Sequence, residues 1–316
     1  MTRGQRIGNV LGVILPFACL LLAIVLLWNR FVGPAALVIT AVMYALAGGL
    51  GISVGFHRLF SHRSFDAPPA IRGMFAILGS MAMQGPIIRW VANHRTHHAH
   101  PDKEGDPHSP HLSSHDGIRG TLGGLWHAHV GWIFTPERTP EERYARDLLE
   151  DPLISFIDRT FIVWVLLGLA LPFGAGYAIG GTLDAALIAM LWGGPVRVFL
   201  VHHATFAVNS LCHFAGRRRF ATGDESRNLV WLAPITFGEA WHNNHHAFPN
   251  SAFHGLRRWE LDLGGLAIRG LERVGLVRNV KRISPQRQQS KLERLSAALP
   301  NLEGRSAGPE TGASPH

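Results

Sequence analysis

Three stretches of this 316-residue chain carry no charged residue: Ile7 to Trp28 (22 residues), Phe31 to Phe56 (26) and Thr160 to Leu183 (24). Each exceeds the roughly 20 residues that a helix needs to cross the hydrocarbon of a bilayer. A fourth stretch, Ala185 to Gly216, is apolar except for Arg197, His202, His203 and His213. Polar groups inside a span mark functional positions. Gly73 to Ile88 is uncharged for only 16 residues and contains Gly79, Gly85 and Pro86, so it is expected at the interface or inside the protein, not across the membrane. The expected fold is an all-α integral membrane protein. Four transmembrane helices, near 7–28, 34–56, 160–182 and 185–207, would carry a cytoplasmic helical cap built from 57–159 and 208–280.

Charged residues make up only 16% of the chain, while histidines number 19. About a quarter charged is typical of a soluble protein. A mean hydropathy of +0.12 is nevertheless too low for a chain lying wholly in lipid, so a sizeable water-facing part is expected. Cys19 and Cys212 offer no disulfide framework. Arg3 and Arg6 precede the first span and the long connecting segments are rich in Arg, so the positive-inside rule places both termini in the cytoplasm. A cleaved signal peptide is the rival for residues 1–28, but the apolar run is too long and lacks an A-x-A-like site. As one helix, Phe31 to Arg63 would measure about 49 Å at about 1.5 Å per residue, so span two should protrude from the membrane, and span four likewise. Residues 281–316 read as a disordered tail, with Lys291 to Leu299 a candidate short helix. The positive charge, 27 Arg and 3 Lys, is dispersed and adjacent to spans, which argues against nucleic acid and for phosphate-bearing partners or topology alone.

Three histidine clusters lie just beyond the spans: His57-Arg-Leu-Phe-Ser-His62, His94-Arg-Thr-His97-His98 and His242-Asn-Asn-His245-His246. In the last two, positions i, i+3 and i+4 share one helical face, so three imidazoles converge. In the first, an i, i+5 spacing at about 100° per residue sets the rings about 140° apart, which suits two metals better than one. Asn209 and His213 add an i, i+4 pair at the end of span four. Nine histidines exceed the three or four protein ligands of a zinc site and fit two ions. Imidazole suits Fe, Zn, Cu or Ni; iron is expected because a redox-inert zinc pair would not need such a site at a membrane. A transporter or metal sensor would favour ionisable groups near mid-membrane, whereas these clusters sit past the span ends.

Other histidines have plainer readings. His108, His111 and His115 occupy a Pro/Asp/Ser-rich loop and are expected to be surface or loop-structuring residues. His100, His127, His129 and His254 are expected to make structural hydrogen bonds or to support the metal ligands. His202 shares a helical face with 206, 209 and 213; it either points into the interior beside Asn209 and the substrate cavity, or packs.

This ordered set resembles the membrane fatty acyl desaturases of the stearoyl-CoA (delta-9 acyl-CoA) type. The resemblance covers Tyr44 to Lys281, through Gly55-Phe-His-Arg-Leu-Phe-Ser-His-Arg-Ser-Phe65, Trp90 to His98, Asp106-Pro-His108, His129-Val-Gly-Trp132, Asn209 to His213 and Gly238-Glu-Ala-Trp-His-Asn-Asn-His-His-Ala-Phe-Pro249. It implies a di-iron centre with one iron held by four histidines and the other by five. Carried over by position, His57, His98, His213 and His246 would ligate one iron, with Asn209 on its water. His62, His94, His97, His242 and His245 would ligate the other.

The implied reaction uses O2 and two external electrons to remove two hydrogens from a fatty acyl chain, giving a cis alkene and water. An acyl-CoA and the delta-9 position are the first expectation; an acyl lipid substrate, or a hydroxylase on the same framework, is the alternative. Trp90 is a candidate wall of the acyl tunnel. Ala240 stands where bacterial relatives usually have Gly. The sequence shows no His-Pro-Gly-Gly motif of a fused cytochrome b5, which implies a separate electron donor such as ferredoxin, rubredoxin or cytochrome b5. The implied location is the bacterial inner membrane.

Overall fold

The protein is described by a computed structural model over residues 3–29, 33–113, 116–135 and 139–292. Among these residues it is helical with no strand. Four helices are long and apolar enough to cross a membrane: Ile7–Val25, Pro34–Ser61, Phe161–Gly180 and Leu183–Phe214. The first and third bury little of themselves in the protein, with residues such as Leu11, Ile14, Ile162 and Leu166 half or more exposed. Contiguous apolar surface of that extent requires a non-aqueous neighbour. Spans two and four are half buried and form the centre of the bundle. At 32 residues, span four reaches about 48 Å at about 1.5 Å per residue, well past a hydrocarbon layer of about 30 Å. The ends that overshoot carry His57 and His213.

Span two changes character along its length. Pro34–Tyr44 is α-helical, and from Ala45 to Ser61 the helix is of the wider π type, with hydrogen bonds from i+5 to i. Its glycines admit close neighbours: a Cβ on Gly51 would lie 2.4 Å from the backbone nitrogen of Gly79. The neighbour is the helix Pro69–Ser80, which buries Phe75, Ala76, Gly79 and Ser80. The short uncharged run after residue 73 is therefore an interior helix followed by a turn. Spans three and four form a hairpin. Gly181, at φ +66°, ends span three in the left-handed conformation that glycine tolerates, and the Thr182 hydroxyl accepts from Ala185 N to start span four.

The part of the chain beyond the spans includes the helix Ile87–Ala99, the short helix His242–Ala247, the helix Leu263–Arg273 and the loops between them. The chain after 281 departs from the expected disorder. Residues 285–292 are helical, Lys291 Nζ donates to the Ala247 carbonyl at 2.7 Å, and Leu292 packs with Phe220 and Phe248. The apolar Leu292 and this lysine anchor a segment whose composition is otherwise that of a tail. Residues 293–316, including most of the candidate helix Lys291 to Leu299, lie outside the described residues.

Candidate metal centre

All nine box and span-four histidines converge, in two groups. His57, His62, His94, His98 and His245 form one; His97, His213, His242 and His246 form the other. Within each group the ring nitrogens lie within 4.8 Å of one another. The five-and-four count agrees with the resemblance, but the membership does not. His57 and His62 fall in the same group, their Nε2 atoms 3.2 Å apart. The expected angle of about 140° assumed an α-helical turn. Here His62 N bonds to His57 O at 3.1 Å, so residue i+5 sits one π turn above residue i and the two rings share a face. The H-x-x-H-H boxes also split. His94 and His98 face His57 while His97 faces His213 and His246; His245 joins the first group while His242 and His246 join the second.

Four carboxylates stand behind the ligand rings. Glu239 meets His57 Nδ1; Asp106 lies 2.9 Å from His97 Nδ1, Asp102 2.8 Å from His213 Nδ1, and Asp224 2.9 Å from His246 Nδ1. A carboxylate only accepts, so each of these Nδ1 atoms carries the proton and the Nε2 of the neutral ring presents a lone pair. Two of those Nε2 atoms, of His97 and His246, face each other at 3.3 Å, and that of His213 lies 2.9 Å from the Nε2 of His242. Two facing lone pairs repel unless a cation sits between them. The donor sets of both groups therefore fit metal ions, and the fixed tautomers of His97, His213 and His246 add to the fit of the second.

The electrostatics agree. Burial and neighbouring imidazoles push His62, His94, His98, His242 and His245 well below the ordinary histidine range, and burial pushes His246 down to about 4. His97 is the exception. Burial would depress it too, but the charge and hydrogen bond of Asp106 outweigh burial and raise it. Asp102, Asp106, Asp224 and Glu239 are held below the usual carboxylate range because their histidine partners outweigh the upward effect of burial.

The signs combine. For imidazoles with a depressed folded pKa, the unfolded chain binds more protons below about 6.5, so acidification favours unfolding. Metal binding, which needs neutral rings, weakens over the same interval. We expect the unfolding midpoint of metal-free, detergent-solubilised protein to fall steadily from pH 7 to pH 5, measured by circular dichroism. The paired carboxylates should add a further loss below pH 4. A flat profile between pH 7 and pH 5 would contradict the buried neutral histidine cluster.

An apolar pocket between spans two and four borders these rings. Its walls include Tyr44, Ile52, Trp90, Val201, Thr205, Asn209 and Phe237, and it ends on His57, His94, His97 and His242. Asn209 thus faces the two groups. Trp90 stacks on His94 with centroids 5.4 Å apart, and Gln84 ties Trp90 Nε1 to the Thr205 hydroxyl. His202 does not reach the rings; its Nε2 donates to the carbonyls of Ala82 and Met83. His108 is not a surface residue. It is buried 4.6 Å from the His97 ring and beside Trp132, because the Asp106 turn folds its loop back over the second box. His111 donates to the His213 carbonyl at 2.7 Å, and His115 lies outside the described residues. His254 is buried against Glu239, Arg58 and the His245 ring.

Sequence reasoning missed the carboxylates. Asp106 and Glu239 lie inside motifs that the resemblance quotes, so a signal existed for them. Asp102 and Asp224 have no local pattern, and only the fold brings them to their histidines.

Comparison with known proteins is consistent with this geometry. The model of the family described as "Fatty acid desaturase" matches residues 32–264. A hex-5-enoyl-[acyl-carrier protein] acetylenase of Moorena producens is 45% identical over 85% of this chain and 84% of its own. An sn-1 stearoyl-lipid 9-desaturase of Anabaena variabilis is 39% identical over 78% of this chain and 84% of its own. An icosanoyl-CoA 5-desaturase of Limnanthes douglasii is 39% identical over 79% and 66%. With histidine groups that could hold metal, an apolar pocket beside them and this similarity along most of its length, the chain belongs to the fatty acid desaturase family and is a fatty acyl desaturase, an oxidoreductase.

Proposed function

We propose that this protein is an integral membrane di-iron desaturase that introduces a cis double bond at C9 of a saturated fatty acyl chain, with acyl-CoA as its first substrate. The observation that carries the di-iron reading is the meeting of nine imidazole Nε2 atoms in groups of five and four, with Nδ1 protons of His57, His97, His213 and His246 fixed by carboxylates. No side chain can remove hydrogen from an unactivated methylene; bound iron would supply the redox chemistry with O2. Overall, acyl chain, O2, two electrons and two protons give the alkene and two waters.

The residues around the centre have definable tasks. Trp90, Val201 and Thr205 confine the acyl chain and exclude water where the pocket meets His57 and His94. Asn209 holds a water beside the four-histidine group. Asp102, Asp106, Asp224 and Glu239 keep the ligand rings in one tautomer and orientation. Electrons come from a separate carrier such as ferredoxin, rubredoxin or cytochrome b5. The boxes face the cytoplasm of a bacterial inner membrane, with both termini on that side, which is supported by Arg3, Arg6 and the Arg-rich connections.

The position C9 is supported by relatives named as 9-desaturases, among them that of Anabaena variabilis. Those names specify a stearoyl lipid, which favours a second reading with a glycerolipid-bound acyl chain. Gas chromatography with mass spectrometry of fatty acids from a host that makes only saturated chains, expressing this gene, tests the proposal. We expect a new C9 monoene; a hydroxylated chain or no new product would overturn it. Purified enzyme given stearoyl-CoA or stearoyl-lipid vesicles then separates the two carriers.

A further inference from the structure

The most unusual group outside the metal centre is Arg197, fully buried in the middle of span four with no acidic partner among the described residues. Charges in a span are costly and mark function. Its guanidinium is spent on carbonyls: Nε donates to Gly193 at 3.1 Å, Nη1 to Met81 at 2.6 Å and Nη2 to Gly168 at 3.4 Å. One face further along the same helix, His202 Nε2 lies 3.0 Å from the Ala82 carbonyl and 3.1 Å from that of Met83. Carbonyls only accept, so His202 carries its proton on Nε2. The next residue, Gln84, donates to the Thr205 hydroxyl at 2.8 Å and accepts from Trp90 Nε1 at 3.0 Å. Four consecutive residues, 81 to 84, are thus bonded in order to span four.

That turn needs holding. Met83 sits at φ +63° and Gly85 at φ +99°. A non-glycine residue in the left-handed region is strained and persists where its surroundings over-determine it. Through Gln84 the turn ends on two residues that line the pocket, Trp90, which stacks on His94, and Thr205.

We propose that Arg197 and His202 are positioning residues for the desaturation: by clamping the carbonyls of 81–83 they set the place of Gln84 and Trp90, and so which carbon pair of the acyl chain lies beneath the histidine groups. This rests on the desaturase reading of the site. His202→Gln keeps a donor for the carbonyls, whereas His202→Leu removes it. A displacement of about 1 Å costs on the order of a hundredfold in rate.

The test expresses wild type and both variants in the saturated-only host, measures membrane abundance and iron per chain, and locates the double bond by mass spectrometry. We expect equal abundance and iron in all three, one positional isomer from wild type and His202→Gln, and a 10- to 100-fold slower His202→Leu yielding neighbouring positional isomers. If the leucine variant does not accumulate, Thr205→Val, which removes only the hydroxyl at the end of the string, should produce the same positional scatter. A leucine variant, or in its place Thr205→Val, that makes the single wild-type isomer overturns the proposal, as does one whose slower turnover is matched by lost iron. A wild type that makes no unsaturated chain overturns the desaturase reading and this inference together.

Discussion

His245→Ala should reduce turnover by more than about a hundredfold, beyond the 10- to 100-fold typical of losing an outer partner of a metal ligand. His245 is the single residue of the third box in the five-histidine group, its Nε2 3.1 Å from that of His57 and 2.9 Å from that of His98. Its sequence neighbours His242 and His246 belong to the other group, so none can swing in to replace it. The substitution leaves that group one ligand short for the metal it would hold and removes no ring from the four-histidine group. Fatty acid analysis of cells that depend on the gene for unsaturation reads the loss directly. Unchanged unsaturation would mean that His245 is not a ligand.

Asp106→Asn should weaken metal retention by about 10- to 100-fold. Both Asp106 oxygens lie within 3.0 Å of His97 Nδ1, and one of them also accepts from Asp102 N. The carboxylate fixes the tautomer and, by its charge, raises the basicity of His97 against the effect of burial. The amide retains the shape and removes the charge. Titration of the metal-free protein with ferrous iron should show the weaker binding, with circular dichroism unchanged. Binding as tight as wild type would contradict the role given to the carboxylate.

Lipid made the spans legible. A helix that must satisfy its own backbone in hydrocarbon needs a long uncharged run, and Ile7–Val25 and Phe161–Gly180 are little else. The boxes were legible because H-x-x-H-H puts three rings within reach on any helix. Which ring joins which group was not. The spacing of His57 and His62 was read on an α-helical turn, and no local pattern marks the π geometry of a segment whose glycines lie against Pro69–Ser80. Sequence order likewise could not reveal that Asp224, in a loop beyond span four, would reach His246, or that His108 would be drawn under the second box. The helix at 285–292 was hidden because a polar segment with one apolar contact looks the same as a tail until its docking site, near Phe248, is known.

The central claim is that two histidine groups hold two irons. Elemental analysis of protein purified after expression with iron, alongside His245→Ala and Asp106→Asn, tests it most directly. The account predicts close to two tightly held irons per wild-type chain, retained through dialysis, and fewer in both variants. Iron near one or none per chain, or loosely held and exchangeable zinc in its place, would contradict it.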